Sequence, residues 1–152
     1  MFRPLDPGKM VDNMRERTPA QSVAAVVSAV FLVVGILGFI PGITTHYGDM
    51  SFAGHDSGAK LLGLFQVSIL HNVVHLLFGA VGLALTKTAE GARTFLVGGG
   101  VVYLVLWLIG VIGAGDWIPV NTADNWLHLA LGVGMIALGF VTTRTAPAAR
   151  TA

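Results

Sequence analysis

The sequence predicts an all-α integral membrane protein: a four-helix bundle made of two parallel helical-hairpin repeats, with both termini in the cytoplasm. Three observations predict it. Hydrophobic residues make up 54% of the chain against 11% charged, and mean hydropathy is +0.75, far from the balance of a soluble globule. Four apolar stretches recur, each near the length of about 20 residues that crosses a hydrocarbon core. The basic residues are segregated along the chain as membrane topology requires.

A polar arm, residues 1–19, mixes Arg3, Lys9, Arg15 and Arg17 with Asp6, Asp12 and Glu16 and reads as solvated. The first span, residues 20–40, is longer than the apolar core of a signal peptide, and no small-x-small cleavage site precedes Pro41 and Gly42. Residues 69–85, 95–112 and 122–141 are the second, third and fourth spans, and residues 142–152 a small polar tail. All four stretches are continuously apolar and do not alternate every second residue, which excludes a β-barrel. Helices are then the remaining way to satisfy the backbone in lipid.

Charge sets the orientation. Arg3, Lys9, Arg15 and Arg17 precede span one, Lys87 and Arg93 lie between spans two and three, and Arg144 and Arg150 follow span four; Lys60 alone lies elsewhere. The other connections hold Asp49, Asp56 and Asp116, with Asp124 at the start of span four. The positive-inside bias therefore puts both ends and the middle connection on the cytoplasmic face of a bacterial inner membrane. The long outer loop, residues 41–68, carries His46 and His55 as solvated side chains, and its residues 61–66 are expected on the membrane surface. With no cysteine in the chain, disulfides, thiolate zinc sites, iron–sulfur clusters and thiol nucleophiles are excluded, so any metal or haem must rely on histidine.

The duplication is read from two segments. Val67-Ser68-Ile69-Leu70-His71-Asn72-Val73-Val74-His75-Leu76-Leu77-Phe78-Gly79 aligns without gaps on Val120-Asn121-Thr122-Ala123-Asp124-Asn125-Trp126-Leu127-His128-Leu129-Ala130-Leu131-Gly132, sharing V-x4-N-x2-H-L-x2-G. Spans one and three match more loosely, Phe31-Leu32-Val33 to Gly38 resembling Tyr103-Leu104-Val105 to Gly110. Spans two and four cross in the same direction, so the repeat is parallel, about an axis along the membrane normal. Ser68 and Asn121 are expected helix caps.

These residues, with Gly98-Gly99-Gly100-Val101-Val102-Tyr103-Leu104-Val105-Leu106-Trp107, resemble an actinobacterial membrane protein family catalogued as a domain of unknown function, number 4383. The resemblance covers about residues 22–139, with N-x2-H-L-x2-G as its most specific element. It implies a four-helix membrane protein and supplies no activity.

Asn72, His75, Asn125 and His128 are polar residues inside apolar spans, where such groups are costly and face the bundle interior. Asn72 and His75 share a helix face with Gly79, as do Asn125 and His128 with Gly132. At 1.5 Å per residue both histidines lie about 10 Å inside helices that begin after Ser68 and Asn121, near the outer leaflet. The favoured expectation is structural: the amides and imidazoles bond across the bundle, each glycine lets the facing helix approach, and no cofactor is bound. The alternative is electron transfer, with His75 and His128 as axial ligands of haem b and Asn72 and Asn125 as supporting donors. A divalent metal held by His71, His75, Asp124 and His128 is a variant of it, although helix capping accounts for His71 and Asp124 more cheaply. Proton transfer is disfavoured because spans one and three contain no ionisable acid or base to continue a path. No HExxH occurs and no span contains Glu, so no catalytic residue is assigned.

Tyr103 and Trp107 share a face of span three, where a quinone or haem pocket competes with plain packing. Trp117 and Trp126 fit the interfacial aromatic belt. Gly38 with Gly42, Ala80 with Ala84, and the Gly98-Gly99-Gly100 run are small-residue surfaces for packing within the chain, a homo-oligomer or a membrane partner. The bilayer is the expected partner, and nothing in the charge pattern points to nucleic acid.

Overall fold

The computed structural model describes residues 17–113 and 116–142. Most of the arm at residues 1–16 and of the tail at residues 143–152 lies outside the described residues.

Four helices dominate: α1 (Pro19–Leu37), α2 (Ile69–Leu85), α3 (Ala89–Ile112) and α4 (Thr122–Val141). Each begins at a side chain that accepts an otherwise orphaned N–H. Thr18 accepts from Gln21, Ser68 from His71, Thr88 from Gly91 and Asn121 from Asp124. α2 and α4 start where the sequence places them. α3 starts earlier than residue 95, because Thr88 caps it and Glu90 in its first turn favours the helix dipole. α1 stops short of residue 40, where the Thr44 hydroxyl donates to the carbonyls of Leu37 and Gly38 at 3.1 and 3.2 Å.

By length and composition α1, α3 and α4 are long and apolar enough to cross a membrane. The fourth apolar helix, α2, has 17 residues, about 26 Å of helix and the short end of the spanning range.

Side-chain placement explains the hydropathy. The interior positions are Ala20, Ala24, Ser28, Phe31 and Gly35 on α1, and Asn72, His75, Gly79 and Gly82 on α2. On α3 they are Ala92, Phe95, Leu96, Gly99, Gly100 and Tyr103, and on α4 Asp124, His128, Gly132, Met135 and Gly139. Large aliphatics point outward: Val26 is 65% exposed while Ala24 is fully covered, and Leu77, Val105 and Val133 are likewise exposed. Water-soluble folds bury large apolar groups; here the interior combines small and polar residues with Phe31, Phe95, Leu96, Tyr103 and Met135, while most of the Val, Leu and Ile side chains face outward, the arrangement suited to a lipid solvent.

α1 packs along α2, and α3 along α4. In the first pair Gly38 meets Asn72, Gly35 meets Leu76, and Gly79 meets Leu32 and the Ser28 carbonyl, so the helices run antiparallel. In the second Gly110 meets Asn125, Gly132 meets Leu104 and the Gly100 carbonyl, and Gly139 meets Val97, again antiparallel. At the end of the bundle that carries Lys87 and Arg93, the Gln21 amide donates to the Thr86 carbonyl at 2.9 Å.

The long loop is folded. β1 (Thr44–Thr45), β2 (Lys60–Leu61) and β3 (Phe65–Gln66) form an antiparallel sheet in the order β1-β2-β3. The expected surface segment, residues 61–66, is therefore a hairpin with Leu61 buried beneath it, while Leu62 and Leu64 are exposed at its tip. Its turn puts Leu62 (φ 55°) and Gly63 (φ 71°) in the left-handed region, which glycine adopts freely and leucine does not.

Candidate functional site

The caps of α2 and α4 fix where the polar residues sit. On α4 the capping is reciprocal: the Asp124 N–H donates to Asn121 Oδ1 at 3.0 Å, and the Asn121 N–H donates to Asp124 Oδ2 at 2.9 Å. Asp124 Oδ2 also accepts the Gln66 N–H of β3 at 3.0 Å. A carboxylate only 2% exposed thus ties the folded loop to the start of α4.

Farther into the bundle the rings form a row. His75 lies edge-on to Phe31 (centroids 5.5 Å, interplanar 72°), Phe31 stacks on Tyr103 (5.4 Å, 16°), and Tyr103 is tilted against His128 (5.3 Å, 58°). His71 stands perpendicular to His75 at 4.5 Å, and Phe78 packs edge-on against both Phe31 and Tyr103. His75 and His128 are 7% and 4% exposed. The Nδ1 atoms of His71, His75 and His128 are buried without a hydrogen-bond partner, as is Asn125 Oδ1. Unsatisfied buried polar atoms cost free energy.

Two cavities flank the histidines. One, about 110 Å³, lies between α2 and α3 and is lined by His71, Val74, His75, Tyr103, Leu106 and His128 under Trp117, Ile118 and Pro119. The other, about 120 Å³, lies between α1 and α4 and is lined by Val34, His71, His75, Asp124, Leu127 and His128 under Leu61, Leu62 and Phe65 of the sheet. The long loop is tied to the lid of the first: the Gly54 and His55 N–H groups donate to the carbonyls of Trp117 and Asp116 at 3.0 and 3.2 Å. His55 Nδ1 also donates to the Asp116 carbonyl at 2.9 Å. That carbonyl, and then the Asp56 carboxylate, raise the pKa of His55 above its ordinary value.

The structure thus brings His71, His75, Asp124 and His128 to one cavity. Among the described residues, however, no group of three or more His, Cys, Asp or Glu is placed to hold a metal ion. Nor do the residues fit haem. Phe31 and Tyr103 fill the row between His75 and His128, so no space for a porphyrin lies between the two imidazoles. Asn72 and Asn125, expected as supporting donors, line neither cavity. Their amides pack where Gly38 and Gly110 leave room, and any Cβ there would overlap them. The Asn72 amide reaches Met50 sulfur at 3.9 Å.

Sequence reasoning missed Gln66 as a partner of Asp124; besides its main-chain bond, its amide donates to the carbonyls of His55 and Ser57 at 2.6 and 2.7 Å. It also missed the stacking of Phe31 on Tyr103, although the loose match between spans one and three pairs these two positions.

Residues 21–141 match the family model described as Domain of unknown function (DUF4383). No curated protein and no solved structure matches the chain.

Proposed function

The chain belongs to the DUF4383 family, which carries no assigned activity, and from that premise we propose a four-span protein of a bacterial, actinobacterial-type cytoplasmic membrane. It acts there as a structural or interaction component. Its membrane domain is residues 20–141, with an arm (residues 1–19) and a tail (residues 142–152) in the cytoplasm. The observation that carries this is the outward face of the bundle: glycine, alanine, histidine and a few aromatic rings are inside, and most of the large aliphatics are exposed on all four helices. An even number of crossings, with α2 as the shortest, agrees with basic residues in the arm, the tail and the middle connection.

The two hairpins are copies. Four correspondences support this. Gly38 against Asn72 matches Gly110 against Asn125, and Gly79 against Leu32 and the Ser28 carbonyl matches Gly132 against Leu104 and the Gly100 carbonyl. Phe31 beside His75 matches Tyr103 beside His128. The two cavities correspond as well, His71, Val74, His75 and Leu106 of one taking the places of Asp124, Leu127, His128 and Val34 of the other. The asparagine amides thus sit at matching places inside their own hairpins, and the two hairpins meet near the outer leaflet through the ring row His75, Phe31, Tyr103 and His128. No observation favours the haem alternative.

The absence of cysteine makes the topology directly testable. Single cysteines at Gly48, where a side chain meets open space, and at exposed Glu90 are treated with an impermeant maleimide in intact cells. Labelling of position 48 but not 90 is expected, with 90 reacting after permeabilisation. The reverse pattern, or equal labelling of both in intact cells, overturns the topology.

A further inference from the structure

The duplicated halves are not equivalent at the histidines. The cavity between α1 and α4 contains the carboxylate of Asp124, whose Oδ2 already accepts two N–H groups, and the β-sheet roofs it. In the cavity between α2 and α3 the position of Asp124 is taken by His71, so the wall is three imidazoles and no carboxylate. Two of those imidazoles are more than nine-tenths buried, and the Nδ1 of each of the three has no hydrogen-bond partner. Apart from Ser68 at its edge, the rest of the lining is aliphatic or aromatic. Its edge reaches the lipid-facing surface at Leu70 and Val74, both exposed on α2.

These properties define a guest. It arrives from the lipid, since the opening lies among apolar side chains. It carries oxygen atoms, because each of the three imidazoles has one ring nitrogen, Nδ1, left to be satisfied. It is flat and about one ring in size, because the space of about 110 Å³ is of the order of the roughly 150 Å³ that accommodates benzene and is walled by Tyr103 and Trp117.

We propose that the cavity between α2 and α3 binds the oxygenated head ring of a membrane quinone or quinol, with His71, His75 and His128 as its hydrogen-bond partners. The site rests on the reading of the bundle as membrane-spanning. A ring carbonyl accepts an imidazole N–H, a ring hydroxyl donates to an imidazole nitrogen, and an isoprenoid tail leaves past Val74 into the bilayer. Only binding is involved.

The test uses the full chain in nanodiscs with Trp107→Phe and Trp126→Phe, leaving Trp117 at the cavity as the sole tryptophan. The probe is a 1,4-benzoquinone bearing one isoprene unit, which quenches indole fluorescence. Saturable quenching at one quinone per chain is expected. Val74→Phe, on the exposed face of α2, should block the opening and return the response to linear, collisional quenching. His75→Leu, which removes one hydrogen-bond partner, should weaken binding about tenfold. Quenching that is linear from the start, or saturable quenching unchanged in Val74→Phe, overturns the site. Maleimide labelling of the same protein separates the two failures: a correct topology with linear quenching removes the site alone, whereas a wrong topology removes the membrane reading beneath it.

Discussion

Asp124 is the buried carboxylate on which the folded long loop and α4 both depend, and its two simplest substitutions should behave oppositely. Both accepted bonds, from Asn121 at 2.9 Å and Gln66 at 3.0 Å, converge on Oδ2. Asp124→Asn can present Oδ1 at that point and keep both, so it should change stability by less than about 0.5 kcal/mol. Asp124→Ala removes the acceptor and leaves two main-chain N–H groups unpaired, at about 1–3 kcal/mol for each that is fully buried. Half of a capping box goes with it. Because both donors are only part-buried, the total is placed at about 2–4 kcal/mol, or 1.5 to 3 decades in the unfolding equilibrium. Reversible unfolding in mixed micelles, followed by circular dichroism, measures it. The Gln66 amide should also lose hydrogen-exchange protection in Asp124→Ala and retain it in Asp124→Asn. Equal stability of the alanine and asparagine variants would refute the role given to Oδ2.

Three further outcomes are expected. A Cβ at Gly100 would lie 2.8 Å from the Gly132 carbonyl, whereas one at Gly98 meets nothing; Gly100→Ala should therefore cost about 1–3 kcal/mol and Gly98→Ala should gain up to about 1 kcal/mol, both read from the same unfolding curves. Leu62→Gly should stabilise the hairpin by about 1 kcal/mol by relieving the left-handed conformation, measured as greater amide protection across β2 and β3. The bond from His55 to the Asp116 carbonyl favours the charged imidazole, so its contribution is complete below the unfolded histidine value near about 6.5 and is lost as pH rises through the raised folded value; exchange of the Gly54 and His55 amides, corrected for intrinsic rates, should show this dependence, and His55→Ala should abolish it.

Much of the fold is legible because membrane helices announce themselves locally. Ser68 and Asn121 cap the helices they were expected to cap, and Asn72 with His75 is buried on one face. The start of α3 was hidden because Glu90, Arg93 and Thr94 interrupt the apolar run, although Thr88 is a serviceable cap. The sheet was illegible for a different reason: two-residue strands are too short to show alternation. Gln66 and Asp124 meet across 58 positions of sequence, and no local pattern encodes such a contact. The Gly98-Gly99-Gly100 run reads as one packing surface, but the helix turns each residue to a different neighbour: open space at Gly98, Met135 and Phe78 at Gly99, and the Gly132 main chain at Gly100. For the histidines, hydrogen bonds across the bundle were the favoured expectation and ligation the alternative; the structure sets aromatic or imidazole rings against each of them and leaves their Nδ1 atoms without a partner.

The central claim is that the outward aliphatic faces are solvated by lipid. Nitroxides attached to single cysteines along residues 101–108 of α3, in proteoliposomes, report collisions with oxygen, which dissolves in the hydrocarbon, and with a water-soluble nickel chelate. Because Val101, Val102, Val105 and Leu108 are exposed and Tyr103 is buried, oxygen accessibility should rise and fall with the 3.6-residue helical period, high at the first four and lowest at 103, while nickel stays low throughout. Nickel accessibility exceeding oxygen at Val105 would place that face in water and contradict the account.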